Sequence, residues 1–330
     1  MSRDQRGRVA PAALPLRIAA LALFAIASVT KHVSASVLAL SPTGNGNTYV
    51  VNVDTHDAVL LQIADCCAVQ SGSVAADTLN HRVFFVANDA GFAALYIYAY
   101  GIPASVDSIG LGSAQRVSHM VYDPLHQRLA AIIADDGGGI DLATLARSSG
   151  VVVTGALGPD CCQLRAGVAA YDATADIFYA VGRRSTDGAD QLFAFSIANG
   201  TLLAAYPLGS ESVSALVLDG SLLYALSYDA ASDALRAATI TFTPGFALTP
   251  IGSGATGCCF VLAGSIALDH TRNALVALTR PSTSVEAFAT RAFSLTDGTV
   301  VQGNALNANG LFEDSVALSD RIFADDFEGP

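Results

Sequence analysis

Three pairs of adjacent cysteines are the residues whose type and spacing point most directly to chemistry. Each pair lies near the start of one of three similar segments, DCCAVQSGSV, DCCQLRAGVA and GCCFVLAGSI. The pairs recur at intervals of 95 and 97 residues. In an oxidising compartment such cysteines favour disulfides, whereas reduced thiolates can hold a metal. The six cysteines of the chain are Cys66, Cys67, Cys161, Cys162, Cys258 and Cys259.

A repeat of 46 to 50 residues supplies the elements that must position these cysteines. An acidic residue closes a run of small and apolar residues in five copies, and a short turn and further apolar runs follow it. Such runs, bounded by Gly, Asp, Asn and Pro, are typical of strands. Four antiparallel strands in about 40 to 50 residues are typical of a β-propeller blade. The repeat is marked by Asp77, Asp123, Asp172, Asp219 and Asp269, and by Ser319 in a sixth copy.

The two ends of the chain predict how the ring closes. Residues 36–55 align without a gap on residues 82–101, so they supply the second and third strands of a blade that lacks its first strand. The segment SVALS at 315–319 is a first strand with no blade after it. Pairing these segments makes a composite blade and removes two open sheet edges. The predicted fold is therefore all-β, a six-bladed β-propeller, with seven blades as the alternative if residues 321–327 add a strand.

The repeated units, such as SVAAD followed by HRVFFVAND, resemble the YVTN/NHL-like superfamily of β-propellers. The resemblance covers most of residues 36–323 and implies the fold without a particular activity. The final RIFADDFEGP resembles the short IFADGFE-type tail of exported proteins from certain Gram-negative bacteria, with Asp326 in place of Gly. This second resemblance implies an exported bacterial protein with a propeller at 36–323 and a C-terminal tail at 324–330.

Residues 1–35 have the features of a secretory signal peptide. Several arginines precede the apolar run 18–29, and VSA at 33–35 is a small-x-small cleavage site. A run this short does not span a bilayer, which needs about 20 apolar residues. We therefore expect no transmembrane anchor after cleavage, and a monomer that is secreted, periplasmic or on the cell surface.

Charge narrows the possible partners. Cleavage removes five basic residues and one Asp, which moves the formal net charge from −12 to −16. Nucleic acid is repelled by this charge, and the sequence has no basic cluster to bind it. Lys31 is the single lysine, so the mature chain has no lysine for Schiff-base chemistry. No cofactor is predicted, and the expected partner is an unidentified ligand or protein.

The repeat places every cysteine pair just before a first strand, in alternate blades. A bridge between pairs needs Cα atoms within about 7 Å, which requires the loops to converge on the axis. Each pair is therefore predicted to form a vicinal disulfide, with free thiols, cross-loop bridges and metal thiolates as alternatives. Closing so small a loop adds little stability. Such a bridge either forms a rigid apolar platform for a ligand or only stiffens a turn.

Charged residues in the loops between second and third strands are predicted on the same face as the cysteines. Such a rim can orient a polar ligand around an apolar centre, although solvated loop tips are the alternative. A histidine within a first strand is predicted near the central channel. Together with the six cysteines, the predicted ligand-binding residues are Arg183, Arg184, Arg280 and His119.

Metal sites are predicted only weakly. The repeated Asp residues are interpreted as turn caps, because an Asp side chain can accept backbone N–H bonds. Asp135 and Asp136, before three glycines, are weak candidates for calcium ligands. Lactonase-like propellers use a Glu/Asn/Asp calcium centre, and only Glu313 and Asp314 of the composite blade offer part of such a set. The sequence therefore favours a binding protein over an enzyme, with a metal-assisted, lactonase-like hydrolase and a structural cell-surface protein as alternatives.

Overall fold

The structure is a computed structural model. The residues that it describes lie mainly in antiparallel strands. The chain divides into Met1–Ala35 and Ser36–Pro330. The predicted signal peptide and the tail at 324–330 lie outside the described residues, and within these no helix is long and apolar enough to cross a membrane. The described residues are 38–42, 48–52, 58–61, 68–77, 80, 82–89, 92–99, 105–113, 116–134, 139–146, 150–157, 161–184, 188–257, 260–270, 272–280, 288–305 and 316–318.

Five blades follow one another along residues 68–305, and the first strands of different blades contact each other at the centre. Blade 1 contains β4 (Ala68–Asp77), β5 (Arg82–Asp89), β6 (Phe92–Ala99) and β7 (Ser105–Ser113). Blade 2 contains β8 (Arg116–Asp123), β9 (Arg128–Ala134), β10 (Ile140–Ala146) and β11 (Gly150–Leu157). Blade 3 contains β12 (Gln163–Asp172), β13 (Ile177–Arg183), β14 (Asp190–Ser196) and β15 (Thr201–Pro207). Blade 4 contains β16 (Glu211–Asp219), β17 (Leu222–Asp229), β18 (Ala234–Thr241) and β19 (Ala247–Thr256). Blade 5 contains β20 (Phe260–Val261), β21 (Ala267–Asp269), β22 (Ala274–Arg280), β23 (Ala289–Ser294) and β24 (Val300–Ala305).

A further sheet joins the two ends of the chain. Its strands are β1 (Leu38–Pro42), β2 (Thr48–Asn52), β3 (Ala58–Leu61) and β25 (Val316–Leu318). They pair in the order β25-β1-β2-β3, the order expected for the composite blade. The predicted all-β propeller is confirmed, and in the part of the chain that the structure describes five blades are complete, where the sequence predicted six or, as the alternative, seven.

Contacts between neighbouring blades account for the high apolar content. Successive side chains of a strand point to opposite faces of its sheet, and neighbouring blades cover both faces. Between blades 1 and 2, Phe84 and Leu95 pack with Met120, Leu129 and Leu145. Similar clusters join blades 2 and 3, 3 and 4, and 4 and 5. Burying each large apolar side chain stabilises the fold by about 1.5–3 kcal/mol.

Each blade has two ends, and the first strands run between them. The Cys face is the end at which β4, β12 and β20 begin, directly after the cysteine pairs. The Asp face is the end at which the repeated Asp residues close the first strands. The turn-cap interpretation is confirmed for four of them, whose carboxylates accept backbone N–H bonds from two or three residues further on: Asp77, Asp123, Asp172 and Asp269.

Candidate functional site

Three first strands, in alternate blades, bulge away from their sheets. In β4 the pairing moves from Val69 opposite Ala87 to Val74 opposite Phe85, which leaves three extra residues on the first strand. Blades 3 and 5 contain the same excess, whereas the first strands of blades 2 and 4 have one extra residue each. The large bulges therefore belong to the blades that carry the cysteine pairs.

A glycine in each large bulge lies where the first strands meet, and the glycine of blade 3 contacts those of blades 1 and 5. Gly72, Gly167 and Gly264 each stand five residues after the second cysteine, with φ of 84°, 71° and 68°. The Gly264 N–H donates to the Gly167 carbonyl over 3.3 Å. A Cβ on Gly72 would overlap the Ser118 carbonyl oxygen and lie 2.6 Å from the Gly167 nitrogen. Backbone thus packs against backbone where these first strands meet, and the bulges form a floor below the Cys face.

His119 supports this floor from inside the protein. Its side chain is fully buried, with Nε2 2.6 Å from the Arg165 carbonyl oxygen and Nδ1 3.0 Å from Ser118 Oγ. Burial lowers the pKa of His119 to about 4, against the opposing effect of the Arg165 hydrogen bond. The ring is therefore neutral at pH 7, and Nε2 carries the proton because a carbonyl oxygen only accepts. His119 thus contacts the bulge of blade 3 and is closed off from solvent, and its predicted ligand-binding role stays a prediction.

The pair Cys161 and Cys162 lies in the interface between blades 2 and 3. The two Sγ atoms are 1.99 Å apart. Cys162 is 3% exposed and packs in a cluster with Phe178 and Phe193, and Cys161 lies partly buried beside it. This pair adds apolar contact between blades, which a free-standing platform would not do. The other four cysteines, Cys66, Cys67, Cys258 and Cys259, lie outside the described residues.

A partly buried carboxylate links two arginines beside this pair. Arg183 stands opposite Gln163, the residue after the cysteines, and its Nε donates to Asp190 Oδ1 over 2.7 Å. Arg165, in the bulge, donates to the other oxygen of Asp190. Its second nitrogen donates to Ser212 Oγ, 2.8 Å away in blade 4. The hydrogen bond to Asp190 raises the pKa of Arg183. Arg183 is thereby held in one place on the Cys face.

Blade 1 contains an uncharged version of the same link. Gln70 occupies the position of Arg165, three residues after the second cysteine. Its Oε1 accepts the Val117 N–H of blade 2 over 2.7 Å, and its Nε2 donates to Asn88 Oδ1 over 2.8 Å. Gln70, Arg165 and Asp190 are not among the site residues predicted from the sequence. The constant distance of Gln70 and Arg165 from the cysteines was the available signal.

Arg280 lies against two aromatic rings on the Cys face. Its Cζ is 4.8 Å from the Phe260 ring centroid and 5.3 Å from that of Phe288, within the range of a cation–π interaction. Phe260 is 49% exposed, and Arg280 Nε is buried without a hydrogen-bond partner among the described residues. This cluster places a positive charge beside exposed aromatic surface.

The strand register gives these groups equivalent positions. Asn88, Arg183 and Arg280 stand opposite the residues that follow the three cysteine pairs, in blades 1, 3 and 5. Arg184 is exposed and continues the rim beside Arg183. Asp229 of blade 4 is paired instead, at 3.3 Å from Arg236. The rim around the closed axis is therefore cationic at Arg183, Arg184 and Arg280.

The residues weakly predicted as metal ligands are not among those that the structure places at this site. Asp135, Asp136, Glu313 and Asp314 lie outside the described residues. Within the described part of the chain, no group of three His, Cys, Asp or Glu side chains is placed to hold a metal ion.

Comparisons with known proteins agree on the architecture. No family model and no curated protein matches the chain. A chain of a nidogen/laminin complex matches with a TM-score of 0.58 and 11% identity, covering 86% of this chain and 98% of that one. TolB from Acinetobacter baumannii matches with a TM-score of 0.56 and 12% identity, covering 87% and 67%. The periplasmic gluconolactonase PpgL of Pseudomonas aeruginosa matches with 0.54 and 11%, covering 86% and 99%. Identities this low show the fold alone: the chain is a β-propeller, similar in architecture to proteins of different function.

Proposed function

We propose that this protein is an exported β-propeller that binds a ligand or protein partner with an anionic group at its Cys face. The observation that carries the proposal is the cationic rim around a closed floor. Arg183 is held by Asp190, and Arg280 is held by Phe260 and Phe288. A fixed cation loses little conformational entropy when it binds, so these side chains are prepared for a carboxylate or phosphate.

The negative charge of the chain as a whole restricts the binding of anions to this rim. The chain has a formal net charge of −12, so anions are repelled from most of its surface. An anionic partner is attracted only where arginines gather. Phe260 adds an apolar contact beside Arg280 on the same face. The partner therefore combines a negative group with an apolar or aromatic one.

The cysteine pairs shape this face in the proposal without contacting the partner themselves. Each pair forms a vicinal disulfide that fixes the start of a first strand, and the bulge after it carries Gly72, Gly167 or Gly264 to the axis. The burial of Cys162 in the cluster between blades 2 and 3 supports this role for one pair. The same position of the other two pairs in the repeat extends it to them.

The ring in this proposal has six blades, and the sheet of the chain ends is the sixth. Its backbone order β25-β1-β2-β3 supports that closure. Export rests on the signal-peptide features of residues 1–35 and on the tail-like RIFADDFEGP, and the likeness to a periplasmic propeller is compatible with it. The lactonase-like alternative rests on a likeness of fold alone.

Intact mass of the exported protein tests the cysteine chemistry and the cleavage site together. We expect a chain that begins at Ser36 and takes up no alkylating reagent until it is reduced, and six alkyl groups afterwards. The reason is that an exporting cell places the pairs in an oxidising compartment. Six alkylated thiols without reduction would contradict the vicinal disulfides and leave the cationic rim to be tested separately.

Binding of an acidic probe tests the rim. Fluorescein-labelled hexaglutamate, followed by anisotropy at low ionic strength, is expected to bind the wild-type protein. The double variant Arg183→Gln/Arg184→Gln should weaken binding by about tenfold or more, because it removes two positive charges from the rim. Arg272→Gln, on the Asp face, is the matched control and should change binding by less than about twofold. Equal losses in both variants, or no binding to the wild type, would refute the proposed site.

A further inference from the structure

The turn between β14 and β15 contains an Asn-Gly step at the surface of blade 3. Its sequence is SIANGT at 196–201, in which Asn199 is exposed and Gly200 has a φ of 62°. The turn between β23 and β24, in blade 5, has the sequence SLTDGT at 294–299. The other two Asn-Gly steps of the sequence, at 45–46 and 309–310, lie outside the described residues. The turns of blades 3 and 5 can therefore be compared position by position, with asparagine in one and aspartate in the other.

The side chain of Asn199 is not held in its turn as that of Asp297 is. Asp297 Oδ1 accepts the Thr299 N–H over 3.0 Å and the Thr299 hydroxyl over 2.9 Å. Asn199 is held through its backbone, where its N–H donates to Ser196 Oγ over 3.2 Å. Its side-chain amide makes no hydrogen bond to any residue that the structure describes. The Asn199 side chain can therefore turn towards the backbone without breaking a hydrogen bond.

The backbone N–H that follows differs between the two turns as well. The Gly298 N–H donates to the Ser294 carbonyl oxygen over 3.0 Å. The Gly200 N–H makes no such bond to Ser196 or to another residue in the described part of the chain. Glycine also has no Cβ to hinder the approach of a neighbouring side chain to its nitrogen. The Gly200 nitrogen is therefore accessible to the side chain of the residue before it.

Gly200 is fixed on its carbonyl side by blade 2. A Cβ on Gly155, in β11, would overlap the Gly200 carbonyl oxygen, and a Cβ on Gly200 would overlap the Thr154 carbonyl oxygen. The backbones of blades 2 and 3 are thus in direct contact at the outer edge of the propeller. Any lengthening of the main chain before Gly200 would displace this contact.

We propose that Asn199 is a site of spontaneous deamidation in the folded protein, since asparagine is among the chemically labile residue types. The Gly200 nitrogen loses its proton to hydroxide and bonds to Asn199 Cγ, and the side-chain nitrogen leaves as ammonia. Water then adds to one of the two carbonyl carbons of the resulting succinimide and breaks its bond to the ring nitrogen. The products are aspartate and isoaspartate, and water is the one co-reactant. The site is separate from the proposed Cys-face function and stands or fails independently of it.

The two products differ in their effect on the fold. Aspartate at position 199 reproduces the turn of blade 5, where Asp297 accepts two hydrogen bonds from Thr299. Isoaspartate routes the main chain through the side chain, which adds a methylene next to the contact of Gly200 with Gly155. We therefore expect Asn199→Asp to keep the melting temperature of the wild type, and the isoaspartate form, separated by ion exchange, to melt at a lower temperature. An isoaspartate form as stable as Asn199→Asp would contradict the contact between the blades.

Ageing the folded protein at mildly alkaline pH tests the site itself. Trypsin releases the peptide 185–236, in which Asn199 is the one asparagine, and mass spectrometry follows the replacement of its amide by a carboxyl group. We expect progressive conversion in the wild type and none at this position in Asn199→Gln, because glutamine would have to form a larger ring. An unconverted peptide from the folded protein, under conditions in which the urea-unfolded protein converts, would overturn the proposal.

Asp297→Asn is the matched control, because it places the same Asn-Gly-Thr sequence in the turn of blade 5. The Gly298 N–H is hydrogen-bonded there, and so is the side chain at 297. We expect deamidation at this position to be about tenfold slower than at Asn199 in the folded protein, because these bonds must break first. In urea the two positions should react at similar rates. Equal rates in the folded protein would show that the dipeptide alone sets the rate, and would overturn the assignment of the site to the turn of blade 3.

Discussion

Replacing Gly72 by alanine is expected to lower the free energy of unfolding by about 3 kcal/mol or more. Two costs combine at this position. The backbone φ of 84° disfavours any side chain, and a Cβ would overlap the Ser118 carbonyl oxygen. That oxygen and the Gly167 nitrogen belong to backbone at the centre of the ring, so neither neighbour can move aside like a flexible side chain. Urea unfolding followed by circular dichroism measures the loss.

Gly220→Ala separates the two costs. Gly220 also has a positive φ, 57°, but a Cβ there would meet nothing within 4 Å. This variant should lose only about 1 kcal/mol, the cost of the backbone conformation. Equal losses in the two variants would show that the axis is not closely packed at Gly72.

A pair of compensating substitutions tests the axial contact in a second way. A Cβ on Gly167 would lie 2.5 Å from the Cβ of Ala263. The double variant Gly167→Ala/Ala263→Gly removes that overlap and should recover part of the stability lost in Gly167→Ala alone. A double variant no more stable than the single one would indicate that the two strands do not meet.

The sequence was sufficient to predict the blades because their signal is local and repeated. Strand runs recur after each capping Asp, and Asp77 and Asp123 cap their turns as predicted. The closing sheet was predictable because residues 36–55 and 82–101 align directly. These features depend on patterns within one repeat, which a single sequence displays.

The axial contact could not be predicted, because a bulge and a continuous strand have nearly the same residue pattern. The segments around Gly72 and Gly167 were interpreted as parts of first strands, and only the register shows the three extra residues. The partners of His119 and Arg165 likewise lie 46 and 25 residues away. Their placement is set by the ring geometry, so the burial of His119 against the Arg165 carbonyl could not be read from the sequence.

Asp123→Asn is expected to destabilise the protein by about 3 kcal/mol, because it removes a buried carboxylate that accepts from three side chains and is one of the two charge partners of Arg128. The Asp123 side chain is fully buried, and its Oδ2 lies 2.7 Å from His126 Nδ1, 3.1 Å from Arg128 Nε and 2.9 Å from the Tyr171 hydroxyl. Arg128 also donates to Asp176 of blade 3, so the cluster joins two blades. An asparagine amide presents donors where these three groups need an acceptor.

Asp172→Asn is the matched control for the turn itself. Asp172 caps the equivalent turn through backbone N–H groups of Thr174 and Ala175, each 2.9 Å from one oxygen, which an asparagine can still accept. We expect a loss below about 0.5 kcal/mol in this variant. Similar losses at both positions would assign the stability to the turn rather than to the cluster between blades.

The pH dependence of the Asp123→Asn effect identifies the charge as its cause. Burial raises the pKa of Asp123, but hydrogen bonds from the His126 backbone and ring, Tyr171 and Arg128 outweigh it, and the folded-state pKa lies below its ordinary value. Such a carboxylate stabilises the fold fully above its unfolded pKa of about 3.9, and the contribution is lost as pH falls through the lowered folded value. The stability difference between wild type and Asp123→Asn should therefore stay constant from pH 7 to about pH 5 and shrink below about pH 4. A difference that persists undiminished in acid would mean that shape, and not charge, is what the variant removes.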